Sequence, residues 1–305
     1  MILCCGEALI DMLPRVTAQG ETAFAPYPGG AVFNTAVALG RLGAPAAFFS
    51  GLSTDLFGDM LRASLAASRV DVSLTHISDR PTTLAFVRLV DGQAEYQFHD
   101  EGSAGRMLAE ADLPASVDPA AALLFGGISL IPEPCGSAYE ALMRREQAKR
   151  VTMLDPNIRP AFISDPAAHR ARIERMAAMS DIVKFSDEDL AWFGDAAPDE
   201  AAKTWLAKGP KLVLVTQGAR GAVAYTAREC VTMPARTVEI VDTVGAGDTF
   251  NAGVLASLWE QGLLTKSAIA ALTPDQIAAA LDLGIRAAAI TVSRAGANPP
   301  WREAL

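Results

Sequence analysis

Asp242 and Asp248 bracket the run Thr243-Val244-Gly245-Ala246-Gly247. Downstream, Phe250, Val254, Leu255 and Leu258 recur at helical spacing, so a helix is expected to start within the run. Upstream, the β-branched segment Val238-Glu239-Ile240-Val241 predicts a strand. Two glycines between a strand and a helix let the backbone approach a ligand closely. The first turn of the helix offers unpaired N–H groups and the positive end of a dipole, which suits an anion. A carboxylate at the mouth of the helix, Asp248, can take a proton from an attacking hydroxyl. One at the strand end, Asp242, suits a cation. Read for structure alone, the same residues are a helix start with aspartate as an ordinary cap.

A second stretch, Gly29-Gly30-Ala31-Val32-Phe33-Asn34-Thr35-Ala36, forms a turn that feeds a helix over 31–42. Gly29 and Gly30 allow backbone N–H groups to face a ligand. Asn34 carries both a donor and an acceptor, which suits a vicinal diol, although a first-turn asparagine also bonds to its own backbone. In this order and far apart, the two stretches resemble the N-terminal and C-terminal signatures of the ribokinase-like (PfkB) carbohydrate kinases, and the resemblance runs over nearly the whole chain. It implies one α/β domain over 1–305, with a mostly parallel central sheet covered by helices on both faces. A small β-sheet lid is expected to be inserted, formed by approximately 12–28 and 82–106. ATP and Mg2+ are the implied cofactors, with K+ near Asp242 as a further expectation.

The resemblance also implies roles. Asp248 is the base, and the N–H groups of Gly245, Ala246 and Gly247 face charge developing on the transferred group. Asp11 sits inside the apolar run 8–13. It is either a satisfied carboxylate in a turn or an acceptor for sugar hydroxyls, and the family favours the second. With Gly29, Gly30 and Asn34 it is assigned to the sugar. Arg88, Tyr96, Phe98 and Arg106 of the lid are candidates to face substrate, and each reads equally well as hairpin packing or a solvated charge. Asp155-Pro156-Asn157-Ile158-Arg159 follows the strand 151–154, at the kind of strand end where ligands gather. There Arg159 either contacts phosphate or substrate, or pairs with Asp155. Lys184, Thr216, Gly218, Gly221 and Gly247 are assigned to the nucleotide, although a glycine-rich hairpin turn accounts for 216–221 as well. Many family members carry N-x-x-E where this chain has Ser186 and Asp189. Asp189, or Glu188 beside it, is then the magnesium partner through water. A Ser186 cap with acids in the first turn explains the same residues without metal.

The intervening segments alternate strand and helix, which argues for a parallel sheet covered on both faces. The exception is 83–98, where Asp91-Gly92-Gln93 between β-prone runs signals a hairpin with a three-residue loop.

Composition narrows the function classes. Of the 305 residues, 50% are hydrophobic and 20% charged, which suits a sizeable core. The net charge of -9 and the lack of a basic cluster argue against nucleic acid and anionic membranes as partners. No apolar run reaches a membrane span, and 1–6 lacks a charged leader flank, so a cytoplasmic protein is expected. The four cysteines, Cys4, Cys5, Cys135 and Cys230, lack metal-ligand spacing and read as reduced, buried thiols.

The reaction this predicts is transfer of the ATP γ-phosphate to a sugar hydroxyl. Fructose is first among the sugars, because 96–104 resembles the fructokinase members of the family, and Asp100 and Glu101 would repel an acid sugar. 2-Keto-3-deoxygluconate, ribose and nucleosides are the alternatives, and a homodimer through the lid is allowed. A catalytically silent sugar or nucleotide sensor is the rival class. A dinucleotide oxidoreductase would want G-x-G-x-x-G after the first strand, which Cys5-Gly6-Glu7-Ala8-Leu9 does not supply.

Overall fold

The computed structural model describes residues 1–90, 93–194 and 197–305, with side chains left out of the description over 89–96. Among the described residues, nine strands form the main sheet. In spatial order they are Cys230–Met233, Ala222–Tyr225, Leu212–Thr216, Ile182–Ser186, Val151–Asp155, Ala122–Gly126, Ile2–Cys5, Ala46–Phe49 and Val70–Asp71. From Leu212–Thr216 onward, neighbours are parallel, and the two strands at the other edge are antiparallel. Strands buried on both faces read as continuous apolar runs, as in Ile2–Cys5. Alternation still sorts them. Ile2 and Cys4 join one core, while Leu3 and Cys5 join the other. The first core is covered by Ala31–Arg41, Leu56–Ala67, Ala246–Glu260 and Pro274–Val292. The second is covered by Cys135–Glu146, Pro166–Ala178, Asp187–Phe193 and Pro198–Lys208. Each fully buried Leu, Ile or Phe contributes roughly 1.5–3 kcal/mol.

The helix that carries Asp248 is fixed by a close crossing. A Cβ on Gly253 would lie 2.5 Å from Gly284 Cα, so Ala246–Glu260 and Pro274–Val292 meet nearly backbone to backbone. Pro274–Val292 starts at Thr273, whose side chain accepts from the Gln276 N–H, with Pro274 in its first turn.

The lid is a separate four-stranded sheet, ordered Thr22–Gly29, Leu9–Val16, Leu84–Val90, Gln93–His99. The chain leaves the main sheet at Gly6, where a Cβ would lie 2.5 Å from a Val32 methyl carbon. The hairpin pairs Val90 with Gln93, so Gln93 belongs to the strand and not to the loop. Its turn, Asp91-Gly92, and the Tyr96 side chain lie outside the described residues.

Two expectations fail. Residues 238–241 are not a strand: Val238, Ile240 and Val241 are exposed, and in place of a ladder the Val241 N–H donates to the Val292 carbonyl, while Asp242 donates more weakly to the same oxygen. β-branched composition has no effect without a neighbouring strand to pair with. Cys230 is exposed because it opens the edge strand Cys230–Met233, whereas Cys4, Cys5 and Cys135 are buried. No helix of the described residues is long and apolar enough to cross a membrane.

Candidate active site

Helix Ala246–Glu260 begins at Gly245, whose φ of 78° is left-handed and favours glycine. A Cβ there would also lie 2.8 Å from the Ala297 Cβ. Asp248 follows in the first turn, only 7% exposed. Its Oδ2 accepts from Asn34 Nδ2 at 2.9 Å, and its carbonyl accepts from Thr35 Oγ1 at 3.2 Å. The first turns of Ala31–Arg41 and Ala246–Glu260 therefore meet at this carboxylate. Burial drives the Asp248 pKa up to about 7. The Asn34 hydrogen bond opposes that rise, the Asp155 charge adds to it, and Lys184 and Arg159 oppose it. A carboxylate with a pKa near neutrality is suited to general-base work.

Beside it lies a buried polar cluster. Asp155 Oδ2 accepts from Asn251 Nδ2 at 2.6 Å and pairs with Lys184 Nζ at 3.1 Å, while Oδ1 accepts from the Asn157 N–H at 3.1 Å. The alternative pairing of Arg159 with Asp155 is therefore replaced by these partners. Arg159 is exposed and donates to the Ile158 carbonyl. Lys184 Nζ lies 3.3 Å from the point where a Cβ would stand on Gly247, which brings an ammonium to the glycine run.

Asp11 lies in the lid strand directly opposite Tyr27 and Ala85, and Ala85 lies opposite Phe98. Residues paired in this way share a face, so Asp11 and Phe98 look to the same side. Phe98 meets Phe162 edge-on, with ring centroids 4.4 Å apart, just beyond the strand end at Asp155. Burial lifts the Asp11 pKa to about 6. Its carboxylate leans over Gly29, where a Cβ would stand 2.4 Å from Oδ2. Gly30, with φ of 111°, caps the helix that presents Asn34. Asp11, Gly29, Gly30, Asn34, Phe98 and Asp248 are thus linked by direct neighbours. Arg88 is not among them. It pairs opposite Glu95, one residue out of phase with Asp11, and stands exposed on the other face of the lid. Arg106 is held by Asp100 at 3.0 Å.

Thr216 ends its strand beside Ser186, and Gly218 and Gly221 form the following turn with φ of 55° and 99°. The expected magnesium partner Asp189 is occupied. Its Oδ1 accepts from the Ile158 N–H at 2.8 Å and its Oδ2 from the Ser186 N–H at 2.7 Å, closing a capping box with Ser186. Only 3% exposed and with both oxygens engaged by backbone, Asp189 serves as a capping carboxylate rather than a partner to a metal's waters, whereas Glu188 is exposed. Among the described residues, no three His, Cys, Asp or Glu side chains converge on a metal position. The oxygens of Asp242 accept from the N–H groups of Val244 and Gly296, tying the loop to the closing turn.

Sequence reasoning missed Glu7. Its Oε1 accepts from the Ala31 N–H at 2.9 Å and its Oε2 from the Ser129 N–H at 3.3 Å, so it fills the anion position of helix Ala31–Arg41. The Gly-Gly start of that helix therefore serves an internal carboxylate. The only signal was an acid straight after a strand-ending glycine. A cavity of about 580 Å³, lined by Glu7, Phe98, Arg106, Phe162 and Arg172 among others, does not include Asp11, Asn34 or Asp248. A separate small recess is lined by Asp155, Asp248 and Asn251 together, and Lys184 adjoins it through its pair with Asp155.

The pattern of the pfkB family carbohydrate kinases matches residues 1–304. This chain belongs to that family. It is 62% identical over 273 residues to a fructokinase of Rhizobium leguminosarum bv. trifolii, covering 89% of this chain and 84% of that one. Among solved pfkB-like folds, a fructokinase of Xylella fastidiosa with bound ATP superposes with a TM-score of 0.88 at 31% identity, over 97% and 93% of the two chains. A Vibrio cholerae fructokinase with fructose, ADP and calcium bound gives 0.82 at 26% identity, over 97% and 94%. The fold is ribokinase-like, and the chain is a carbohydrate kinase.

Proposed function

We infer that this kinase transfers the γ-phosphate of ATP to a hydroxyl of fructose, giving fructose 6-phosphate. The observation that carries this is the buried Asp248 carboxylate, fixed by Asn34 at the start of the helix where Lys184 approaches Gly247. The 62% identical fructokinase supports the choice of sugar. Asp11 and Asn34 orient the sugar hydroxyls. Asp248 takes the proton of the attacking hydroxyl as its oxygen bonds to phosphorus. The bond between phosphorus and the bridging oxygen breaks, and ADP leaves with that electron pair. The N–H groups of Gly245 and Gly247 face the charge on the transferred group, as suits a reaction governed by positioning and electrostatics, whereas the Ala246 N–H, expected to join them, donates to the Thr243 carbonyl at 3.3 Å. Thr216, Gly218 and Gly221 hold the nucleotide. Phe98, closed on Phe162, excludes water.

Exposed Glu188 is the residue proposed to hold magnesium through water, and the ion would supply charge neutralisation at the phosphates. A monovalent cation is assigned to the loop around Asp242. Two copies are proposed to pair through the lid face opposite Asp11, where Val16 and Phe24 are exposed and Phe86 packs between Phe24 and His99.

Coupled assays with ATP and magnesium over fructose, 2-keto-3-deoxygluconate, ribose and adenosine test the reading. Fructose should give the highest kcat/KM, since Arg106 is held by Asp100 and Arg88 faces away. A preference for the acid sugar rejects the choice of substrate, and no turnover of any sugar favours a sensor.

A further inference from the structure

Asp155, Lys184 and Asn251 are 4%, 4% and 1% exposed, and they lie directly behind the glycine run that starts the Asp248 helix. They come from three separate elements: the end of Val151–Asp155, the middle of Ile182–Ser186 and the second turn of Ala246–Glu260. The parallel register pairs Leu154 with Val183, which sets Lys184 beside Asp155. A buried ion pair of this kind is weak evidence for stability, because removing two charges from water offsets most of their attraction. Its geometry has another consequence. Among the described residues, Asp155 Oδ2 is the ion-pair partner of Lys184, and the ammonium carries three protons. Its nitrogen stands 3.3 Å from the Cβ position of Gly247, so the unspent protons are next to the backbone that faces an incoming anion. Any side chain at 247 would separate the ammonium from that anion. The carboxylate is anchored on both oxygens, by the Asn157 N–H and by the Asn251 amide, which leaves it little freedom to follow or release Lys184. Among the described residues the Asn251 carbonyl oxygen is buried without a partner, so that side chain is oriented by its bond to Asp155.

We propose that Asp155 is a positioning residue which, steadied by Asn251, holds the Lys184 ammonium at the glycine run to meet the phosphoryl group during transfer. The inference rests on the reading of this site as a phosphoryl-transfer centre. Lys184 supplies charge and moves no proton. Burial works against its ammonium, but Asp155, Asp189 and Asp248 outweigh that and hold its pKa above the ordinary lysine value.

A double-mutant cycle on the intact chain tests the proposal, with kcat normalised to active protein. Removing an electrostatic donor from such a site costs on the order of 10²–10³ in kcat, and Lys184→Met should fall in that range. Asp155→Asn should lower kcat by about tenfold to a hundredfold while the KM for fructose stays within about threefold, since Asp155 acts on the transferred group and not on the sugar. In the Lys184→Met background, Asp155→Asn should cost less than about threefold more. Losses that multiply instead, or a Lys184→Met enzyme near wild-type kcat, overturn the proposal. Should Asp155→Asn fail to fold, Asn251→Ala replaces it in the same cycle, with a smaller loss that again disappears in the Lys184→Met background. A wild-type chain that turns over no sugar sinks the kinase reading and this inference together. An active wild type with multiplying losses sinks this inference alone.

Discussion

Asn34 Nδ2 donates to Asp248 Oδ2 at 2.9 Å, joining the first turns of two helices 214 positions apart in the chain. The bond fixes the carboxylate where the glycine run opens, and it stabilises the ionised form against the burial that pushes the pKa up to about 7.

Replacing that carboxylate should stop the chemistry without unfolding the chain. Asp248→Asn is nearly isosteric, and its amide oxygen still accepts from Asn34. Losing a general base lowers the rate by about 10²–10⁴. A coupled assay that finds kcat near wild type would make Asp248 a structural residue of the first turn.

The pH profile should report the same group. With a pKa of about 7, kcat/KM should fall on the acid side through that value as the base becomes protonated. Asn34→Ala removes a bond that favours the charged form, so the acid limb should move to higher pH. A limb that stays in place, or moves to lower pH, would mean that another group sets it.

Stability should show the cost of this arrangement. The folded pKa of Asp248 lies above its ordinary value of 3.8, so the native state binds the extra proton between about pH 4 and 7. The slope is therefore negative: stability is full below the unfolded pKa and is lost as pH rises through the folded one. Asp11, raised to about 6, acts in the same direction. Asp248→Asn should accordingly melt higher than wild type at pH 8, on the order of 5 °C, with the gap closing toward pH 4. Thermal melts that show no gap at pH 8 contradict the burial argument.

Sugar recognition should fail in the same way from two directions. Asp11→Ala removes an acceptor worth roughly 1.5–3 kcal/mol to a hydroxyl, so sugar affinity should fall about tenfold or more. Gly29→Ala leaves Asp11 in the chain but places a methyl where its carboxylate rests, 2.4 Å from Oδ2. Both variants should weaken fructose in calorimetry and leave ATP binding nearly unchanged. Equal weakening of both ligands would assign Asp11 to the scaffold.

The sequence by itself determined the elements that depend on local pattern. Apolar runs gave the buried parallel strands, Thr273-Pro274 gave the start of a helix, and Ser186 with Asp189 gave a capping box. It also brought Asp248 to a helix start behind glycines, because backbone freedom and spacing are written in consecutive residues. Tertiary structure decided what depends on partners from afar. Residues 238–241 had strand composition but no strand to pair with. Asp189 could be read as a metal partner until its oxygens were seen to accept the N–H groups of Ile158 and Ser186. Arg88 and Asp11 were both plausible in the lid until the register put them on opposite faces. Glu7 and Asn251 carry no signal as single residues, and nothing in the order of the chain links Lys184 to Asp155. Only the parallel register sets Lys184 beside Asp155, and only the packing of Ala246–Glu260 on the sheet brings Asn251 to that pair, where low dielectric makes each position matter.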